Sequence, residues 1–180
     1  MQVEAWSKVQ RLIREHSPQQ LVDTLPFTGI EVCIGSVVFY IATIYMFWPQ
    51  PGTKPQRFTP LKKSVVFLHN LFLAIYSITV FVNTGPQTIH CFTSMGFRDA
   101  IDRCPGLNDS NMVFWGWTFF LSKIYEFGDT YVHLWRGSKP SFLQMFHHVG
   151  AVWGMWLPYV TGLPAMWTFI VLNSFIHTIM

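Results

Sequence analysis

A chain of 180 residues that is 51% hydrophobic, 17% aromatic and only 12% charged cannot clothe itself as a water-soluble domain does, since such domains carry about 25% charged residues. The net charge of +3 comes without a dense basic stripe, so nucleic acid is not an expected partner. The apolar content excludes intrinsic disorder, three scattered cysteines exclude a disulfide-stapled secreted scaffold, and a membrane protein remains.

Residues 1–27 form a mixed, polar N-terminal segment, with Lys8, Arg11 and Arg14 set against Glu4, Glu15 and Asp23. Val3, Val9 and Leu12 would line one side of a short surface helix. The apolar region starts too late and runs too long for a signal peptide, and residues 28–180 read as one membrane domain. From Ile30 to Trp48 only Glu31 is charged, enough length to cross the roughly 30 Å hydrocarbon layer. Pro49, Pro51, Gly52 and Pro55 stop that helix. A second apolar stretch runs from Val65 to Val82 and carries His69 and Asn70. Thr84, Gly85 and Pro86 then read as the start of a long polar loop reaching about Asn111. The third stretch begins at Met112 with a uniformly apolar half (MVFWGWTFFL) and ends in a polar one (SKIYEFGDTYVHLW). A fourth spans about Phe142 to Thr161, and after the Gly162-Leu163-Pro164 turn a fifth continues to the last residue. The predicted architecture is all-α, a polytopic transmembrane helix bundle of about five spans without an internal repeat.

Loop charge orients the bundle. The first loop holds Lys54, Arg57, Lys62 and Lys63 and the third holds Arg136 and Lys139. The second offsets Arg98 and Arg103 with three aspartates. The positive-inside rule puts loops one and three in the cytosol and the N-terminal segment in the lumen.

Ionisable groups at membrane depth are expensive and mark functional sites. Lys123, Glu126 and Asp129 recur every three residues and, with Thr130, form one stripe on a helix face. His133 lies four residues past Asp129, a spacing at which a carboxylate can fix the tautomer of an imidazole. The fourth stretch opens with Gln144, His147 and His148, and the fifth adds Asn173 and His177 four apart. Counting along the helices brings His69, Glu126, Asp129, His147, His148 and His177 towards one leaflet. The plainer alternative is that these groups pair with one another and stitch the bundle together.

Two chemistries suit histidines and carboxylates in such a bundle. Diiron oxidation needs about eight nitrogen or carboxylate ligands, and seven histidines, with His16 in the tail, His90 in a loop and one adjacent pair, supply that set poorly. Acyl transfer needs no metal. An imidazole attacks a thioester or removes a proton, and a closed bundle keeps water from the reactive acyl-imidazole. Lys123, Arg136 and Lys139 would suit the phosphates of a coenzyme A ester.

KIYEFGDT at 123–130 resembles the KxxExxDT box of the very-long-chain fatty acid elongases, the ELO family of condensing enzymes. QMFHH at 144–148 and NSFIHTIM at 173–180 follow in the order of that family's histidine box and the start of its HxxMYxYY motif. LHN at 68–70 resembles a family segment on the second helix. The resemblance covers nearly the whole chain. It implies a multi-pass enzyme of the endoplasmic reticulum membrane, with about seven membrane helices in a complete member. That enzyme condenses a long-chain acyl-CoA with malonyl-CoA to give 3-oxoacyl-CoA, carbon dioxide and CoA. The resemblance further implies His147 as the nucleophile that carries the acyl group, His148 as an active-site imidazole or base, and His177 as a second active-site histidine. Lys123, Glu126, Asp129 and Thr130 would order the site and its CoA end, supported by Gln144, Asn173 and Asn70. No metal or redox cofactor is implied, both CoA esters being substrates. The implied partners are membrane lipids, other enzymes of the elongation cycle, and homo- or hetero-oligomers.

The family's histidine box is HxxHH, and Gln144 stands at its first position. Glutamine hydrogen-bonds but cannot serve as base or metal ligand. Elongases of polyunsaturated chains resemble this variant, which makes a polyunsaturated acyl-CoA the expected substrate. An inactive or regulatory elongase-like subunit is the alternative. The last motif stops at Met180, so the chain is expected to be an N-terminal fragment. Cys33 falls in the first span and reads as packing. Cys91 and Cys104 fall in the lumenal loop, where a disulfide is allowed, either with each other or with a cysteine elsewhere.

Overall fold

Apolar residues at helical spacing organise the first helix, α1 (Ile30–Met46). Cys33, Val37, Tyr40 and Ile44 recur every three or four residues and are buried, while Ile34, Val38, Phe39, Ile41 and Tyr45 are exposed on the other side. A helix that is apolar all round suits a bundle in contact with lipid, where the outer face meets hydrocarbon instead of water. The Phe47 amide donates to the Thr43 carbonyl (3.0 Å) and closes the helix before Pro49.

The computed structural model describes residues 22, 24–103 and 110–179. Among them are seven helices between Ile30 and Ile179 and no strand. The expected surface helix through Val3, Val9 and Leu12 and the rest of 1–21, His16 included, lie outside the described residues, as does Cys104.

The loop expected from Thr84 is a correction. The second helix, α2 (Pro60–Met95), runs straight through Thr84, Gly85 and Pro86 for 36 residues, about 54 Å at 1.5 Å per residue, and His90 sits exposed on it. Pro60 occupies its first position and the Thr59 hydroxyl accepts from the Lys62 amide (3.4 Å), the start a proline favours. Pro86 has no N–H to give the Val82 carbonyl. Around it the Thr84 and Thr88 hydroxyls donate back to the Val80 and Thr84 carbonyls, both at 2.8 Å. Breakers that end a helix in water are held within an apolar one by its neighbours. The helix ends at Gly96, whose φ of 79° leaves the helical region. The short α3 (Phe97–Arg103) folds back on it, with Ala100 packed near Cys91 and Phe92. Cys91 is disulfide-bonded and Cys33 is a buried free thiol.

The third apolar stretch is two helices, α4 (Ser110–Tyr125) and α5 (Phe127–Arg136), interrupted at Glu126. Glycine 137, at φ 72°, stops α5, and the Gly137 and Ser138 amides donate to the Leu134 and His133 carbonyls (2.9 Å each) in a Schellman ending. The Ser141 hydroxyl caps α6 (Phe142–Thr161) through the Gln144 amide (3.1 Å), and α7 (Met166–Ile179) follows. Of the five expected spans, α2 is the one helix among the described residues that is long and apolar enough to cross a membrane by itself; α1 and α7 are shorter apolar helices.

Side-chain pairs set the helix directions. Tyr76 meets Thr118 and His69 meets Asp129, so α2 runs opposite to α4 and α5. Phe119 meets Phe169 and Lys123 meets Asn173, so α4 and α7 run the same way. The neighbours of Tyr40, Thr130 on α5 and His148 on α6, complete an up-and-down bundle. Its core joins Tyr40, Phe119, Phe120, Phe127, Met155 and Trp167. The Trp117 and Trp156 indoles donate to the Pro26 and Thr28 carbonyls (2.8 Å each) and tie the approach to α1 onto α4 and α6.

Candidate functional site

The first loop and the end of α5 meet, since the Gln56 amide donates to the Arg136 carbonyl at 2.9 Å. Measured from that end, His69 is nine residues into α2, Asp129 seven before the end of α5 and His148 six into α6. At 1.5 Å per residue these lie at a common depth of roughly 9–14 Å. Polar groups from five helices meet there.

The α4–α5 break is the centre of the cluster. Lys123 and Glu126 are 1% and 2% exposed, and ionised groups so deep in protein persist only when paired and hydrogen-bonded. The Lys123 ammonium donates to Glu126 Oε1 (2.5 Å) and to Asn173 Oδ1 on α7 (2.6 Å), and lies 4.2 Å from the centre of the Phe119 ring. Glu126 Oε2 has no hydrogen-bond partner. It faces His177 Nε2 at 3.9 Å, beyond hydrogen-bonding length. A buried carboxylate oxygen left unpaired is costly, and a small approach of His177 or a bound donor would satisfy it.

Asp129 turns the other way. His69 Nε2 lies 2.9 Å from Asp129 Oδ1 and Nδ1 lies 3.1 Å from the Tyr125 hydroxyl. A carboxylate only accepts, so Nε2 carries the proton shared with Asp129, and the Tyr125 hydroxyl, which can donate or accept, completes the pair at Nδ1. Gly128 makes room, for a Cβ there would stand 2.9 Å from His69 Cε1. The expected Asp129–His133 partnership is not formed. The His133 ring is instead 3.2 Å from the Ser138 hydroxyl at the end of α5, because Asp129 faces α2 across the bundle.

His148 is buried between Tyr40 and Phe127, its ring edge-on to both at 6.2 Å between centres. Tyr40 stacks on Phe127 at 4.1 Å and shares a 2.8 Å hydrogen bond with Thr130. His148 Nδ1 has no hydrogen-bond partner. The His147 ring, 5.8 Å from that of His148, is exposed and lines a groove of about 460 Å³ between α6 and α7. Phe146, Ala151, Pro158, Met166 and Phe169 are among its walls, and His147 is its one ionisable lining residue. Such size and apolarity are usual for ligand pockets, which hold about 300–1,000 Å³.

Lys123, Glu126, Asp129, Thr130, His148, Asn173 and His177 thus gather in the half of the bundle nearest the first loop, at depths from roughly 9 Å for Thr130 and His148 to roughly 20 Å for Lys123. Asn70 is exposed beside His69, and Gln144 is half-buried one turn before His148. Sequence reasoning missed Tyr40, Tyr125 and Phe119. Tyr40 was detectable as the polar member of the Cys33, Val37, Tyr40, Ile44 face, whereas nothing local pairs Tyr125 with His69. Among the described residues no three of His, Cys, Asp and Glu form a group able to hold a metal ion.

Comparison with known proteins agrees with the motif reading. Residues 25–180 match the model of the GNS1/SUR4 (ELO) family. The chain is 32% identical to fatty acid elongase A of Dictyostelium discoideum over 88% of this chain and 56% of that protein. It is 30% identical to very long chain fatty acid elongase 6 of Drosophila melanogaster, over 79% and 46% respectively. The same identity is found with fatty acid elongase 2 of Trypanosoma brucei brucei, over 80% and 57%. The chain spans about half the length of the curated relatives it matches. No solved structure matches it.

Proposed function

This chain belongs to the GNS1/SUR4 family, and we propose that the protein containing it condenses a long-chain acyl-CoA with malonyl-CoA in the endoplasmic reticulum membrane. The observation that carries the proposal is the adjacency of an apolar groove lined by His147 to the buried cluster of Lys123, Glu126, His148, Asn173 and His177.

In this mechanism the acyl chain lies in the groove and its thioester carbonyl meets the neutral His147 imidazole. The carbon–nitrogen bond forms as the carbon–sulfur bond breaks, and the CoA thiolate takes the proton released by the other ring nitrogen. Malonyl-CoA then loses carbon dioxide. The electron pair left on carbon attacks the acyl-imidazole, giving 3-oxoacyl-CoA, and one proton from solvent restores the imidazole. In this reading His148 and His177 donate to oxyanions as they develop, and the Lys123–Glu126 pair, through Asn173, holds the helix break against α7. Neither step needs a metal or redox cofactor. Gln144 hydrogen-bonds without titrating, and with it we assign a polyunsaturated acyl chain as the substrate.

The test uses the full-length protein in microsomes with labelled malonyl-CoA and polyunsaturated or saturated acyl-CoA. Labelled 3-oxoacyl-CoA is expected, larger in yield from the polyunsaturated substrate, together with an acyl adduct on the His147 peptide. His147→Ala should abolish both. Turnover that survives this substitution would falsify the nucleophile assignment.

A further inference from the structure

We propose that Arg57, Lys63 and Arg136 form a binding site for a phosphate-bearing group, separate from the histidine cluster. The three line a cavity of about 470 Å³ with Phe58 as its apolar wall. They come from different parts of the chain, namely the first loop, the start of α2 and the end of α5. The docking of that loop brings them together. Besides the Gln56–Arg136 backbone bond, Phe58 packs on Trp135 at 5.2 Å between ring centres. Lys62 lies 4.9 Å over the same indole. Gly137, at φ 72°, admits the loop so closely that a Cβ there would stand 3.3 Å from Thr53 Cγ2.

Charge makes the cavity selective for anions. Lys54, Arg57, Lys62, Lys63, Arg136 and Lys139 all lie at this end, and the segments 47–64 and 131–143 contain no Asp or Glu. Lys62 and Lys139 are spent over Trp135 and Trp48. Arg57, Lys63 and Arg136 have no acidic partner among the described residues. Two guanidinium forks with an ammonium around one space match a phosphate dianion, which arginine grips bidentately. Trp135, packed on the Phe58 wall, and Trp48 are exposed, as aromatic side chains are at the headgroup level of a bilayer. The phosphate can therefore come from a lipid headgroup or from the nucleotide end of a CoA ester. The nucleotide source rests on the condensation reading above, and the site itself does not.

Binding, not turnover, tests the site, so failure of the condensation reading leaves the result intact. The full-length protein in detergent is titrated with adenosine 3′,5′-bisphosphate. In a second arm it is captured on phosphatidylcholine vesicles with and without a phosphatidylinositol phosphate. Two charge-matched doubles are compared, Arg57→Gln/Lys63→Gln inside the cavity and Lys54→Gln/Arg98→Gln outside it. Tenfold or greater loss confined to the first double is expected in one arm, and the arm identifies the source. Arg57→Lys/Lys63→Arg should restore binding if the first double remains folded, judged by its helical circular dichroism. Absence of binding in both arms, or equal loss in both doubles, would overturn the proposal.

Discussion

Lysine 123 shows how single residues carry the cluster. A buried ammonium is tolerated because Glu126, Asn173 and the face of Phe119 surround it. Removing one member of a buried pair leaves the other uncompensated and costs about 3–5 kcal/mol, whereas replacing both with apolar groups is often neutral. Glu126→Ala should therefore destabilise the full-length protein by about that amount, and Lys123→Met/Glu126→Leu should regain most of it. Unfolding by dodecyl sulfate in mixed micelles measures both. Equal stability of the single and double variants would contradict the pairing. The motif spacing made the Lys123–Glu126 pair legible, since residues three apart share a helix face. It did not make the Asn173 contact legible, fifty positions away, nor His69 as the partner of Asp129. Local spacing offered His133 instead, and the fold preferred the opposing helix.

At the scale of elements, helix ends determine where the chemistry-bearing side chains stand. Gln144, His147 and His148 all lie in the first two turns of α6, whose first free amides depend on Ser141. Loss of such a cap costs about 1 kcal/mol. Ser141→Ala should raise the hydrogen-exchange rate of the Leu143–Phe146 amides by about fivefold, the equivalent of that energy, and Ser141→Asp should restore protection. The element boundaries were legible where glycine or proline met a polar loop, as after α1 and α5. They were misread at Thr84-Gly85-Pro86, because breaker residues report the backbone's preference in water and α2 is held by its neighbours. The break at Glu126 was also hidden. The helical spacing of Lys123, Glu126 and Asp129 runs straight through it, and the interruption goes with a side chain turned inward to meet Lys123.

For the whole molecule, the up-and-down order puts both basic loops at one end and α3 at the other. Positive loops face the cytosol, which predicts sidedness. In sealed microsomes, Lys54→Cys and Ser138→Cys should react with a membrane-impermeant maleimide, and Arg98→Cys should react only after permeabilisation. Labelling of all three without permeabilisation would show that the basic end does not define one side of a membrane. The same order aligns His69, Asp129, His148 and His177 in depth, because antiparallel helices of known starting points place residues by simple counting.

Composition and motif spacing determined by themselves that this is an apolar, all-helical chain of the elongase family, with its polar residues concentrated on a few helix faces. Those properties are local, readable from hydropathy, periodicity and short ordered motifs. Only the tertiary structure decided which of those residues touch. It joined Lys123 to Asn173, turned Asp129 to His69, set Tyr40 against His148 and docked Arg57 beside Arg136. Contacts between distant segments depend on how whole helices pack, and packing is settled by the faces of several elements at once.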